Sequence, residues 1–581
     1  MTFYCSGSFI RLFGQVEIQM QDLVSASLSD SENRLICCAE SNEWFEPLSG
    51  EKDSPIRATL IRDLVANDDR RGRRWSRPDN PRPLLIRGAL ISGKLDLRGM
   101  VLNRTLWFEH CRFEDLVHIS DCEVRTLSFK GSRLHKGLRA RRTRVRGSLF
   151  LNSGFEARDK VNLKDIVIEG NLECTGGSFR VRSPEKHALV ASNAQIGGNV
   201  NLNSKDHVFV SSGKVVMDGA KIAGDFECGG GVFHDGLRAQ DLSCRCLFLN
   251  NGFIADGMVD LLGLRAQEQV TCRGGNFRYD GKKRSEEKWA LRLRFAEIGS
   301  ALLFSKTFAD TEPYANATIC GPLDLSQARC RIFRDSEDAW PPPGNLLLDG
   351  FSYERLHDCP TDWSTRSNWL RRQDIRDLHE SFRPQPWTQA VNVLRDMGYD
   401  DDSRKLAIER NRAQIESRST SRAQRVWQRF LGVTTGYGYR PQYALYWAFA
   451  FFLLGWFTFS HAYELGYMAP HNGGVVAYLA THPSEAVPPR YSEFNALVFA
   501  TDTILPIIEL GQNEAWEPTT KRAPDAPALP TDFSVNSICM WTLDYAFSAG
   551  LHRLIFWVEE IVGWVLVSLF IAGMSGMIKK E

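Results

Sequence analysis

Three groups of residues in this chain have types and spacings that could do chemistry. Cys174, Cys228 and Cys272 hold one position of a recurring pattern, as a thiolate ladder for a soft metal would require. Such a ladder also needs His or carboxylate partners in register, and none recurs, so the plainer expectation is that these thiols stack as small buried hydrophobes. Arg139, Arg141, Arg142, Arg144 and Arg146 form a basic run that could grip anionic lipid or nucleic acid. The last three alternate, so one strand would point them to a single outward face, which nearby acids would balance in the plainer reading. No aromatic residues interleave with them for base stacking, so no nucleic-acid partner is expected. Thr501, Thr503, Pro506, Glu509 and Gly511 lie in a short apolar stretch, where hydroxyls, backbone carbonyls and one carboxylate could line an ion path.

Catalytic signatures are missing. The sequence has no glycine-lysine phosphate loop, no GxGxxG opening a helix, no HExxH, no GxSxG and no paired Cys/His spacing. Its 12 histidines are scattered without a partner at helical spacing. No catalytic residue, metal site or cofactor is therefore expected. A redox role remains open for Cys37-Cys38 and for Cys244 with Cys246, burial being the plainer reading.

The elements that position these residues follow from the repeats. Gly137-Leu-Arg-Ala returns as Gly236-Leu-Arg-Ala, and Leu149-Phe-Leu-Asn-Ser-Gly-Phe155 returns as Leu247-Phe-Leu-Asn-Asn-Gly-Phe253. The segments ending at Phe179, Phe233 and Phe277 repeat in the same way, with units of 44 to 54 residues that each split into two coils. Within a coil the apolar residues alternate, as in Lys94-Leu-Asp-Leu and Val200-Asn-Leu-Asn, which is the period of a strand with one buried face. Short alternating strands with glycine-rich corners predict a parallel β-solenoid, placed at 83–356. A helical cap over 1–82, containing Pro55–Val65, would cover its open edge. Asn152 and Asn250 fall at corners.

The coils resemble the pentapeptide-repeat-like, right-handed β-helical proteins of bacteria, through the small-then-large pairs in His110-Cys-Arg-Phe113 and Asp121-Cys-Glu-Val124. The strict five-residue register is not kept, so the resemblance is to the broader β-helix group. Proteins of this bacterial type are often labelled membrane-associated oxidoreductases, a label that no motif here supports. Some β-helices are polysaccharide lyases, but no repeating Asp/Arg cleft is visible for that chemistry.

Past Pro341-Pro-Pro343 the composition shifts to helix formers. Residues 386–410 read as two amphipathic helices broken at Gly398, similar to one tetratricopeptide hairpin. This coupler, within 357–440, would pack on the last coil. Its second helix would run on through Arg412, Arg418, Arg422, Arg425 and Arg429 toward a membrane. Tyr443–Tyr463 is 21 residues without a formal charge, and Ile561–Ile578 is a second uncharged span, so 441–581 is expected to be a two-span membrane domain. The second span would start near Leu554 and end at Lys579-Lys580, with Glu559 and Glu560 in an outer turn within reach of headgroups.

Charge sets the orientation. Nine Lys/Arg lie in Arg404–Arg440, whereas Glu464–Gly550 holds three against ten acids. The positive-inside tendency then puts both termini in the cytoplasm and the inter-span loop outside. The N-terminus shows no basic region ahead of a long apolar core, so no secretory signal is read, and the 14 cysteines are expected to be reduced. Overall charge is +1, which gives no global electrostatic case for a nucleic acid.

The inter-span segment resembles the pore helix of two-span potassium channels: Phe494, then Ala496-Leu-Val-Phe-Ala500, then Thr503. The family's filter, Thr-Val-Gly-Tyr-Gly, is replaced by Leu505-Pro-Ile-Ile-Glu-Leu-Gly511, so potassium selectivity is not implied. Pro506 would end the half-helix and begin an extended segment. Glu509 would form an acidic ring in an oligomer, favouring cations. Gly563, Gly573 and Gly576 would allow close packing or bending of the second span. Thr434-Thr-Gly-Tyr-Gly438 has nearly the filter's letters, but it precedes the first span and reads as a turn.

The expected protein is thus a right-handed parallel β-solenoid with a helical N-terminal cap, a helical coupler and a two-span hairpin carrying a re-entrant, pore-helix-like segment. It would sit in a bacterial inner membrane as a homotetramer, with lipid around the spans and an unidentified cytosolic protein or ligand on the solenoid. The alternative is a solenoid scaffold that the spans merely tether.

Overall fold

The structure, a computed structural model, describes residues 28–48, 54–66, 82–181, 187–279, 289–306, 315–482, 487–488, 490–523, 526, 528–531 and 534–575. The chain forms two compact units, residues 1–406 and 407–581.

The first unit is built on a parallel β-solenoid of about 11 turns, whose strands run from Leu84 to Leu356. Most coils carry four two-residue strands, as in Arg133–Leu134, Leu138–Arg139, Arg144–Val145 and Leu149–Phe150. Each strand pairs in parallel with its counterpart in the next coil; Leu138 stands beside Val161 and Leu149 beside Leu172. One residue of each short strand points inward, so Leu134, Leu138, Val145 and Leu149 are buried in one coil and Ala157, Val161, Ile168 and Leu172 in the next. One corner has a left-handed backbone in coil after coil, at Asp121, Arg142, Asp165, Asn193, Gly219, Asp241 and Gly263. Asp, Asn and Gly tolerate that conformation best, which explains their recurrence there.

Inside, Phe155, Phe179, Phe209, Phe233, Phe253 and Phe277 form one continuous stack with ring centroids 5.1 to 5.5 Å apart. Identical residues stack because the register repeats each coil, and each Phe leaves water completely.

Two helices, Asp30–Ser41 and Ala58–Ala66, precede the first coil. Within the expected helical stretch 55–65, Ile56–Arg57 is a strand instead, pairing with Ile91–Ser92. After the last coil, a helix at Gln385–Asp396 ends before Gly398, whose φ of 86° breaks it from the helix Asp400–Glu416. Gln385 and Gln389 donate side-chain N–H groups to the carbonyls of Phe351 and Tyr353, tying this helix to the last strand, Ser352–Leu356. Beneath it, Arg366 and Asp335 form a fully buried two-bond ion pair at 2.8 and 3.0 Å, to which Trp340 adds an indole N–H.

The second unit is helical. The expected continuous basic helix ends at Glu416, and a separate helix, Arg422–Thr435, begins with a Ser421–Gln424 capping box. It displays Val426, Trp427, Phe430 and Val433 to solvent alongside its arginines. Gly436 and Gly438 then turn the chain with positive φ, so Thr434–Gly438 is a helix-ending turn, as its position in the sequence suggests. Two long helices follow, Gln442–Glu464 and Leu551–Met574, both long and apolar enough to cross a membrane. Between them lie helices at Gly473–Thr481, Ala496–Ile504, Gln512–Ala515 and Val535–Ser548, and a small antiparallel pair of Met468–Pro470 with Trp516–Pro518.

Candidate functional site

On the solenoid, the basic run is a set of ion pairs rather than a free cationic strand. Within Arg142–Arg146 the strand is Arg144–Val145 alone, and Arg142 sits at the left-handed corner, so the three arginines do not alternate along one strand as expected. Arg142 pairs with Asp121 at 2.6 Å, Arg144 with Glu169 at 2.8 Å and Arg146 with Glu123, each partner coming from an adjacent coil. Such exposed pairs add little stability, but they balance the charge of this face. Arg139 and Arg141 are exposed beside them.

The cysteines lie inside the coils. Because Leu172, Val200, Phe226, Leu247 and Val270 stand in one register, the residues two positions on form a column of Cys174, Leu202, Cys228, Leu249 and Cys272. Leucine thus separates each cysteine from the next, filling the column with alternating small and large side chains. Burial holds the Cys174 and Cys228 thiols well above the ordinary range. It also pushes Cys244 up to about 12 and Cys246 to about 11, which makes all four poor nucleophiles. Among the described residues, no three His, Cys, Asp or Glu side chains gather as a metal-holding group.

The solenoid also joins residues that no motif had connected. His234 Nδ1 lies 2.9 Å from Asp256, 22 residues away, and Arg278 approaches the other Asp256 oxygen at 3.8 Å. Arg278 stands in register with Cys320, so the four residues form an outward column along one face. With Asn276, Tyr279 and Thr318 they line a surface groove of about 540 Å³. The clue in the sequence is coil spacing, 22 residues from His234 to Asp256 and from Asp256 to Arg278, rather than helical spacing.

In the second unit, Ala496–Ile504 is the element on which the other candidates depend. Asn495 caps it, its side chain accepting from the amides of Leu497 and Val498. Phe499 packs edge-on to Phe459 of the first long helix, with centroids 4.9 Å apart, and stacks on Phe556 of the second at 5.8 Å. At its far end, a Cβ on Gly563 would come within 2.5 Å of the Ile504 carbonyl oxygen. Gly573 similarly faces Pro441 at 3.0 Å. Both glycines are therefore close-approach positions, whereas Gly576 and Lys579-Lys580 lie outside the described residues.

The loop after this helix is shaped by a residue the sequence reading passed over. Asp502 is buried and accepts the amides of Leu510, Gln512 and Asn513 at 2.8 to 2.9 Å, drawing both ends of the loop together. Its signal was being the single acid within Ala496–Ile504. Thr503 is buried, with its hydroxyl 2.8 Å from the Phe499 carbonyl and 3.0 Å from Asn513 Oδ1; Thr501 donates to the Leu497 carbonyl. Pro506 lies in a turn closed by an Ile508 N–H to Leu505 carbonyl bond, rather than opening an extended segment. Gly511 takes φ 78°, and Ile507, Ile508, Glu509 and Leu510 are exposed at the tip.

Glu559 departs most from expectation. The second long helix begins at Leu551, so Glu559 is two turns inside it and wholly buried, while Glu560 is exposed. Its carboxylate rests against Gly455 of the first long helix.

No protein family, curated protein or solved structure matches the chain.

Proposed function

We propose that the chain is a membrane protein whose two long helices and the short helix Ala496–Ile504 form a cation-conducting pore in a homo-oligomer, with the solenoid as its cytosolic sensing domain. The observation that carries this reading is the placement of the short helix. It packs on both long helices, is too short at about 13 Å to cross hydrocarbon, and leads into an Asp502-braced loop that presents Glu509. A half-length helix that delivers a loop to a common axis is how two-span subunits assemble a conduction path, and Glu509 from each copy would ring it with negative charge.

Exposed apolar side chains support the membrane part. Tyr446, Phe449, Phe457, Leu554, Ile561 and Trp564 are each more than half exposed, a surface suited to lipid or to other copies. The helix Arg422–Thr435, with arginines beside Trp427 and Phe430, has the composition of an interfacial helix on the cytoplasmic side. The helices before the first coil would cap the solenoid edge. A protein or ligand on the solenoid would then bias the second long helix and gate the path.

Oligomeric state tests the pore directly. Native mass spectrometry of the chain in nanodiscs should find one closed assembly, most simply a tetramer; a monomer is incompatible with an axial pore. The groove at His234, Asp256, Arg278 and Cys320 favours a second reading, a tethered scaffold that binds its partner there. Exchange of the hairpin for an unrelated two-span anchor would then leave cellular function intact.

A further inference from the structure

Glu559 is 0 % exposed, and neither of its carboxylate oxygens has a hydrogen-bond partner. It lies about 12 Å along the second long helix, where a Cβ on the facing Gly455 would overlap its carboxylate. Burying an ionised carboxylate without a partner is so costly that the group takes up a proton instead.

The ionisable groups on the elements packed around this helix form no ion pair with Glu559. On the first long helix, His461 lies against the Phe457 carbonyl and Tyr463 stacks on Phe494. On the short helix, Asp502 is taken up by three amides. On Val535–Ser548, Asp544 accepts from Tyr467, and Glu517 of the small strand pair faces His471. Arg422 and Arg429 of the interfacial helix are exposed, and Arg425 donates to the Thr420 carbonyl. On Glu559's own helix, His552 meets the Thr519 carbonyl, Arg553 lies over Trp557 and Glu560 is exposed. A metal ion is a poor occupant, since it would need about six oxygens and Gly455 contributes no side-chain ligand.

We propose that Glu559 is a proton-binding site built into the hairpin, its carboxyl held as the neutral acid against Gly455. Ionisation breaks the O–H bond, leaves the electron pair on oxygen and passes the proton to water. Water must reach the carboxylate for this to occur, so the two long helices must part at Gly455. Gly455 is the complement of the site, because any side chain there would hold the helices apart. Proton binding at Glu559 thus favours the closed hairpin, and proton loss favours the opened one. The inference needs only the contact between the two long helices and is independent of conduction.

The test uses infrared spectroscopy of the full chain in phosphatidylcholine vesicles, where a protonated carboxyl and a carboxylate absorb at different frequencies. At pH 7 the wild type should show a protonated-carboxyl band that E559Q lacks. In parallel, the wild-type melting midpoint should fall as pH rises from 6 to 9, because the unfolded chain carries the ionised group and the folded chain the neutral one. E559Q, which imitates the neutral acid, should lose that slope. A wild-type spectrum with no band that E559Q lacks, or a melting slope unchanged in E559Q, overturns the proposal.

Discussion

The carbonyl oxygen of Ile504 lies 2.5 Å from where a Cβ on Gly563 would stand, so the short helix ends against the second long helix with no room for a side chain between them. Gly563→Ala must push the two apart, and overpacking of this kind costs about 1–3 kcal/mol. Thermal unfolding of the purified protein should show the loss. Gly511→Ala meets no atom within 4 Å, and its positive φ makes it a local strain on the loop, not a wedge between helices.

Asp502 should matter more than Glu509 to folding. Asp502→Ala leaves the amides of Leu510, Gln512 and Asn513 without their acceptor, for a loss of about 2–4 kcal/mol. Glu509→Gln, on the exposed tip, should leave the melting midpoint unchanged. Equal destabilisation by the two would mean that the loop is not braced as described.

In the solenoid, Phe209→Ala removes one ring from a stack whose neighbours lie 5.5 and 5.1 Å away. A loss of about 3–5 kcal/mol is expected from the cavity. Where the chain leaves the last coil, Arg366→Met strands Asp335 as a buried unpaired charge and should cost about 3–5 kcal/mol, with Asp335→Asn in the same chain restoring part of it.

Thiol labelling reads both burial and orientation. In the native protein, Cys37, Cys320 and Cys539 are exposed, while Cys174, Cys228 and Cys272 are buried. An alkylating reagent should modify the first group before denaturation and the second only after it. With a membrane-impermeant maleimide on intact cells that lack an outer barrier, Cys539 should react and Cys37 and Cys320 should not. The reverse pattern would invert the orientation.

Most of the solenoid was readable because a coil repeats its register, so Cys174, Cys228 and Cys272 announced one another. The leucines between those cysteines gave no such signal, since Leu202 and Leu249 read as any buried residue until the strands pair. Phe209 escaped because Lys205-Asp-His-Val208 ahead of it lacks the paired glycines that precede Phe179, Phe233 and Phe277. The column of His234, Asp256 and Arg278 was present in the letters but required knowledge of which face each residue takes. In the second unit, the long helices were legible from uncharged runs and the short helix from the string Ala496–Ala500. Asp502 and Glu559 were not, because their roles depend on what packs against them: three amides in one case and Gly455 in the other. Composition assigns a charge to the nearest water, and tertiary packing assigned Glu559 elsewhere.

Ion flux through vesicles reconstituted with the full chain tests the pore most directly. The wild type should release a trapped monovalent cation faster than protein-free vesicles, and Glu509→Gln should slow that release several-fold while leaving the fold and the assembly intact. A folded oligomer that passes no cation at any pH from 6 to 9 would contradict the pore and leave the solenoid as a tethered binding domain.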